Sequence, residues 1–195
     1  MYSSLPHFVI GFHGCDKSVA KCVVARKDPH LIFSKNKYDW LGSGVYFWEQ
    51  NYQRAIDWAK DPKNIHPINS KPIKAPAAIG AIIDLGKCLN LLDGKSIEVV
   101  KRTHELTMDL FNTAKNTTPK NTKKGRFLDC AVINSVNTVF GEEYDTIRGM
   151  FPEGYPVYET SGILDKSHIQ ICVRNLNCIK GYFHPIDKDC SFEIP

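Results

Sequence analysis

Twice in the first third of the chain, a short apolar run rich in β-forming residues is followed directly by a stretch of helical spacing. The first run, HFVIGFH from His7 to His13, leads past Asp16, a residue suited to capping a helix, into SVAKCVVA. The second lies in YDWLGSGVYFW, from Tyr38 to Trp48, where glycines at 42 and 44 break the chain before an aromatic strand. Tyr52, Ala55, Ile56 and Ala59 then recur at helical spacing. The unit is a strand followed by a helix, and its repetition points to a sheet flanked by helices.

The remainder extends that reading. Asn64 to Pro76 holds three prolines and reads as a connection into AAIGAIIDL, residues 77 to 85, a central strand. Helices are expected from about Ser96 to Lys115, with Val100, Thr103, Leu106, Leu110 and Phe111 on one broad face, and from Phe127 to about Phe140. After Tyr144, RGMFPEGYPVYETSGILDKS is too punctuated by glycine and proline for a regular element and reads as a long ordered loop. SHIQICVRN then alternates strictly, with Ile169, Ile171 and Val173 on one face and His168, Gln170 and Cys172 on the other, and Cys178 to Phe183 makes a final strand. With no internal repeat or boundary, residues 1–195 read as a single α+β domain.

Composition narrows the function classes. The chain has 195 residues, 43% hydrophobic, enough for one core without staples. No run approaches the roughly 18 apolar residues of a membrane span, and MYSSLPHFVIGF lacks the marks of a signal peptide, so the expected compartment is cytoplasmic, without a membrane partner. Seven cysteines, Cys15, Cys22, Cys88, Cys130, Cys172, Cys178 and Cys190, are scattered without zinc-ligand spacing and read as reduced thiols. A formal charge of +4 does not establish a nucleic-acid partner. The one basic cluster, KNTTPKNTKKGR from Lys115 to Arg126, reads as a long exposed loop that leaves such a partner admissible.

Three segments carry candidate chemistry. In FVIGFHG, Phe8, Ile10 and Phe12 share one strand face, while His13 stands on the other beside Gly11, a residue without a side chain. In WLGSGVYFWEQ, Tyr46 and Trp48 share a face after a glycine turn that lets backbone approach closely. The third is the strand bearing Gln170. Taken singly, each also fits a purely structural role: a hydrogen-bonded histidine, a core tyrosine, a polar residue on a half-exposed strand.

Their order, GFHG, then GSGVYFWE before a helix, then SHIQICVRN, resembles the ADP-ribosyltransferase superfamily in its poly-ADP-ribose polymerase and diphtheria-toxin branch. His13, Tyr46 and Gln170 would hold the positions of the His-Tyr-Glu signature, across residues 8 to about 183. The resemblance implies a split, antiparallel-rich sheet core flanked by helices and a cleft for NAD, used as substrate and without a metal. His13 would hydrogen-bond the adenosine-side ribose, and the Gly14 backbone would hold the nicotinamide carboxamide. Tyr46 would stack on the nicotinamide ring, with Trp58 as a second aromatic wall. Cys15, where relatives often have serine, Ser34 and Gly44 would line the same cleft.

The third position departs from the family. Its glutamate favours the cationic character that develops as the glycosidic bond breaks; glutamine supplies a hydrogen bond without the charge, a loss on the order of a few kcal/mol. A two-residue shift of alignment would put His168 there instead. Glu49 and Glu159 are the carboxylates expected to compensate. The loop before the third motif selects the acceptor in this family, which assigns that role to Arg148 through Ser167, with Phe151, Tyr155, Tyr158 and Glu159 as candidates; the same aromatics also fit as packing anchors. The expected activity is mono-ADP-ribosyl transfer to a protein or nucleic-acid acceptor, since the polymerising members carry glutamate at the third position. A toxin with a neutralising partner protein would fit this scheme. Hydrolysis of NAD to free ADP-ribose, and NAD or ADP-ribose binding without turnover, are the alternatives.

Overall fold

A computed structural model describes residues 8–65, 72–114, 117–122, 125–141 and 143–186. Strand β1 (Phe8–Asp16) passes directly into helix α1 (Lys17–Val24), because the Asp16 side chain caps it by accepting from the Ser18 N–H at 2.9 Å. The same carboxylate also accepts from the N–H groups of Lys74 and Ala75 at 2.8 Å each, tying the entry to β3 against the exit of β1. Strand β2 (Val45–Glu49), helices α2 (Tyr52–Lys60) and α3 (Pro62–Ile65), and strands β3 (Pro76–Asp84) and β4 (Cys88–Asn90) follow. Helix α4 (Gly94–Thr113), the short strands β5 (Asn121–Thr122) and β6 (Gly125–Arg126), and helix α5 (Phe127–Phe140) lead to β7 (Thr146–Phe151), β8 (His168–Val173) and β9 (Ile179–Phe183).

Seven strands form one mixed sheet in the order β4-β7-β8-β2-β1-β3-β9, in which β4 and β7 run parallel and the other neighbours antiparallel. The fold is α+β, a large sheet flanked by helices. One sheet face buries Phe47, Val45, Ile79, Ile83, Ile171 and Val173 against Ala20 and Val23 of α1. On the other face, α2 sets Ala55 and Ile56 against Trp48 and Ala78, and α5 sets Ile133 and Val136 against Ile147, Phe151 and Cys172. The two-residue alternation along β2 and β8 sorts these side chains, so that Tyr46, Trp48, Gln170 and Cys172 share the face that α2 and α5 cover.

Several sequence-based expectations need correction. Arg148 to Phe151, read as the start of the long loop, belongs to β7, a strand paired with β8 through Phe151↔His168; the loop proper begins at Pro152. Strand β4 has no counterpart in the sequence reading. The buried face of α4 is Thr103 and Thr107, while Leu110 is 64% exposed. The basic segment contains the β5–β6 hairpin, with Asn121 opposite Arg126; Lys115, Lys123 and Lys124 lie outside the described residues. Cys190 also lies outside them, and the other six cysteines are free thiols. No described helix is long and apolar enough to cross a membrane.

Candidate functional site

The site begins where two neighbouring strands stop pairing. β1 and β2 share only Gly11↔Glu49 and Phe12↔Trp48, extended at one end by the Gln50 N–H donating to the Ile10 carbonyl at 2.9 Å. Alternate residues of an antiparallel strand present their N–H and C=O to the same edge, so Ile10, Phe12 and Gly14 all face β2. The ladder does not continue to a pair between Gly14 and Tyr46. Instead, His13 Nδ1 lies 2.7 Å from the Tyr46 carbonyl. A carbonyl only accepts, so Nδ1 carries the proton; burial lowers the His13 pKa and keeps the ring neutral, which leaves Nε2 as an acceptor.

Tyr46 is fixed from the other end. Its hydroxyl donates to the Gly42 carbonyl at 2.6 Å and accepts from the Leu41 N–H at 3.1 Å. Gly42 has φ +75°, a conformation that favours glycine, so the turn and the tyrosine ring are built as one unit. Burial pushes the Tyr46 pKa far upward, and the phenol stays protonated. Beside it, the Ser34 hydroxyl donates to Asp39 at 2.5 Å, and burial raises the Asp39 pKa.

On β8, the His168 Nδ1–H donates to the Lys166 carbonyl at 2.7 Å, and the Gln170 amide nitrogen donates to His168 Nε2 at 2.8 Å. Burial holds the His168 pKa below its usual value. Glu153, just past β7, lies 3.7 Å from His168 Nδ1 and pairs with Arg54 of α2 at 2.8 Å.

These residues surround a cleft of about 600 Å³, within the range of small-molecule sites. Its walls include His13, Ser34, Gly44, Tyr46, Trp58, Phe151, His168 and Gln170. The rings of Trp58, Trp48, His168 and Phe151 continue one another along it, at centroid separations of 6.0, 6.2 and 5.7 Å. Trp40 closes the far side, 4.7 Å from Phe151, with the Arg126 guanidinium of the β5–β6 hairpin 4.6 Å from its ring centre. The indole nitrogen of Trp48 and Nε of Arg54, both on lining residues, are buried without a hydrogen-bond partner.

Other residues singled out from the sequence lie elsewhere. Gly14 is buried beneath α2, where a Cβ would collide with the Ala55 carbonyl and come within 3.1 Å of the Trp58 ring. Cys15 belongs to the core on the opposite sheet face, and burial raises its pKa to about 11. Glu49 is off the cleft, held by Arg148 through contacts of 2.5 and 2.8 Å. Tyr155 and Tyr158 stand 77% and 65% exposed on the loop after β7, with Glu159 beside them, outside the cleft lining.

The structure adds Trp48, Arg54, Glu153, Asp39, Trp40 and Arg126 to the lining. Trp48 was within reach of the sequence, because it shares Tyr46's strand face. Glu153 and Arg54 were not, since 98 intervening residues separate them and an ion pair between α2 and the segment after β7 joins them. A second, more apolar cavity of about 1000 Å³ lies between α4, α5 and β7 and shares Trp40 and Phe151 with the cleft. Among the described residues, no group of three or more His, Cys, Asp or Glu could hold a metal ion.

No family model and no solved structure matches the chain. An uncharacterized protein of Methanocaldococcus jannaschii is 25% identical to it over 191 residues, covering 87% of this chain and 83% of that one. The chain is thus similar along most of its length to an archaeal protein whose name assigns no activity.

Proposed function

We propose that the cleft binds NAD and that the protein is a mono-ADP-ribosyltransferase, cleaving the nicotinamide bond and passing ADP-ribose to a macromolecular acceptor. The observation that carries this reading is the convergence of His13, Tyr46 and Gln170, from three strands, on one aromatic-lined cleft. Each has the capacity its role needs. Neutral His13 offers Nε2 to a ribose hydroxyl; Tyr46 offers a ring locked by its own hydroxyl; Gln170, its amide nitrogen engaged by His168, offers a carbonyl oxygen to the nicotinamide-side ribose. Trp58 borders the Gly14 edge as the second aromatic wall.

The bond that breaks joins nicotinamide nitrogen to the anomeric carbon. Nicotinamide departs with the bonding electrons as a neutral molecule, and positive charge spreads over the ribose ring oxygen and anomeric carbon. The carboxylates lining the cleft, Glu153 and Asp39, are better placed than Glu49 or Glu159 to favour that charge. The acceptor's nucleophile then attacks the anomeric carbon and loses its proton. Binding without turnover is the second reading, favoured by a neutral amide at the third position and by the pairing of Glu153 with Arg54.

The test is nicotinamide release from NAD by the purified protein, alone and with cell lysate, comparing wild type with His13→Ala, Tyr46→Ala and Gln170→Ala. A transferase gives release that rises with lysate, labels macromolecules and falls at least about tenfold in each variant, as loss of more than about 1.4 kcal/mol would produce. Release without labelling identifies a glycohydrolase. Binding without release identifies a sensor.

A further inference from the structure

We propose that His168 is the positioning residue that decides which end of the Gln170 amide faces the cleft, and that a second proton on His168 reverses the choice. The neighbouring groups force the first arrangement. Because Nδ1 spends its proton on the Lys166 carbonyl, Nε2 of the neutral ring has only a lone pair to offer, and at 2.8 Å its partner on Gln170 has to be the amide NH₂. The Gln170 carbonyl oxygen is thereby left as the acceptor for whatever enters the cleft.

A proton taken from solvent onto Nε2 turns that atom into a donor. The NH₂ group can no longer face it, and half a turn about the last side-chain bond brings the Gln170 oxygen to the ring and the NH₂ toward the cleft. A site that accepted from a hydroxyl then donates. The charged or titratable groups facing His168 are Glu153, 3.7 Å from Nδ1, and Arg54, which holds Glu153 at 2.8 Å; Trp48 and Phe151 pack against the ring without charge. Glu153 favours the second proton, while burial and Arg54 oppose it. The consequence for the ligand rests on the NAD reading given above; the amide reversal does not.

Nuclear magnetic resonance of the ¹⁵N-labelled full chain tests the reversal without any ligand. An N–H···N hydrogen bond transmits nitrogen–nitrogen coupling, so at pH 8 the Gln170 side-chain nitrogen should couple to His168 Nε2. On acidification the coupling should vanish, and the Gln170 amide signals should move with the midpoint of the His168 ring; Gln170→Met identifies those signals. Absence of coupling at pH 8, or a Gln170 amide that stays fixed while His168 titrates, overturns the proposal.

NAD titrated into the same protein should bind about tenfold more tightly at pH 8 than below the His168 midpoint, the effect of one hydrogen bond inverted. In His168→Phe, which keeps an aromatic ring between Trp48 and Phe151, that step should disappear. A step of unchanged size in His168→Phe belongs to His13 and overturns the role of His168 in binding. Coupling and reversal without NAD binding at any pH support the switch and remove the NAD reading.

Discussion

The two edges of strand β1 are built from the same nine residues and treated differently. Toward β3 every residue is paired, from Phe8↔Asp84 to Asp16↔Pro76; toward β2 the register holds two pairs. On the paired edge, the small residues Ala77, Ala78, Gly80 and Ala81 are interspersed with isoleucines and nothing interrupts the ladder. On the other, the next hydrogen bond is made by the His13 side chain to the Tyr46 carbonyl. A sheet can thus hold its strength on one seam and open a cleft on the next, provided a side chain takes over where the backbone lets go.

The largest effect should come from the closed side. Ile83, fully buried on β3 opposite Val9, should destabilise the protein by about 4 kcal/mol when cut to alanine, read by chemical denaturation. On the proposed function, NAD turnover per folded molecule should be retained; turnover lost without stability would erase the distinction between the seams. Glu49→Gln should come next, at about 3 kcal/mol, because it leaves a mostly buried Arg148 guanidinium without its carboxylate. If Glu49 acts as a compensating carboxylate, turnover will fall further than folding does.

The gentlest test is pH. Folding lowers the pKa of both His13 and His168, so below about 6.5 the unfolded chain binds more protons than the folded one. Their contribution is fully present above that pH and is lost as pH falls toward the folded values. Urea midpoints should drop between pH 7.5 and 5.5, and less so in the His13→Asn, His168→Phe double variant. An unchanged drop in that variant would move the acid sensitivity away from the open seam.

What the sequence revealed follows from periodicity. The faces of β2 and β8 were legible because Tyr46 and Trp48 alternate with Val45 and Phe47, and His168, Gln170 and Cys172 with three β-branched residues. Helix α5 was found with its ends, and Asp16 was found as a cap. β7 stayed hidden because TIRGMF carries arginine and glycine within a strand. Arg148 is neutralised by Glu49, 99 positions away, and Gly149 makes room for the side chains of Leu41 and Leu91. A carboxylate of the cleft was missed for a related reason: Glu153 gains its place from contacts with Arg54 and His168 that have no local spacing.

Trp40 and Phe151 form a party wall, one side facing the aromatic-lined cleft and the other the more apolar cavity under α4 and α5. Phe151, the buried half of that wall, packs into the core with little slack, so bulk added against it on either side is felt on the other. Val100 and Ile133, which line the apolar room, help set how wide the cleft can be. The gauge of the cleft is therefore written partly in residues of the hydrophobic core that do not line it.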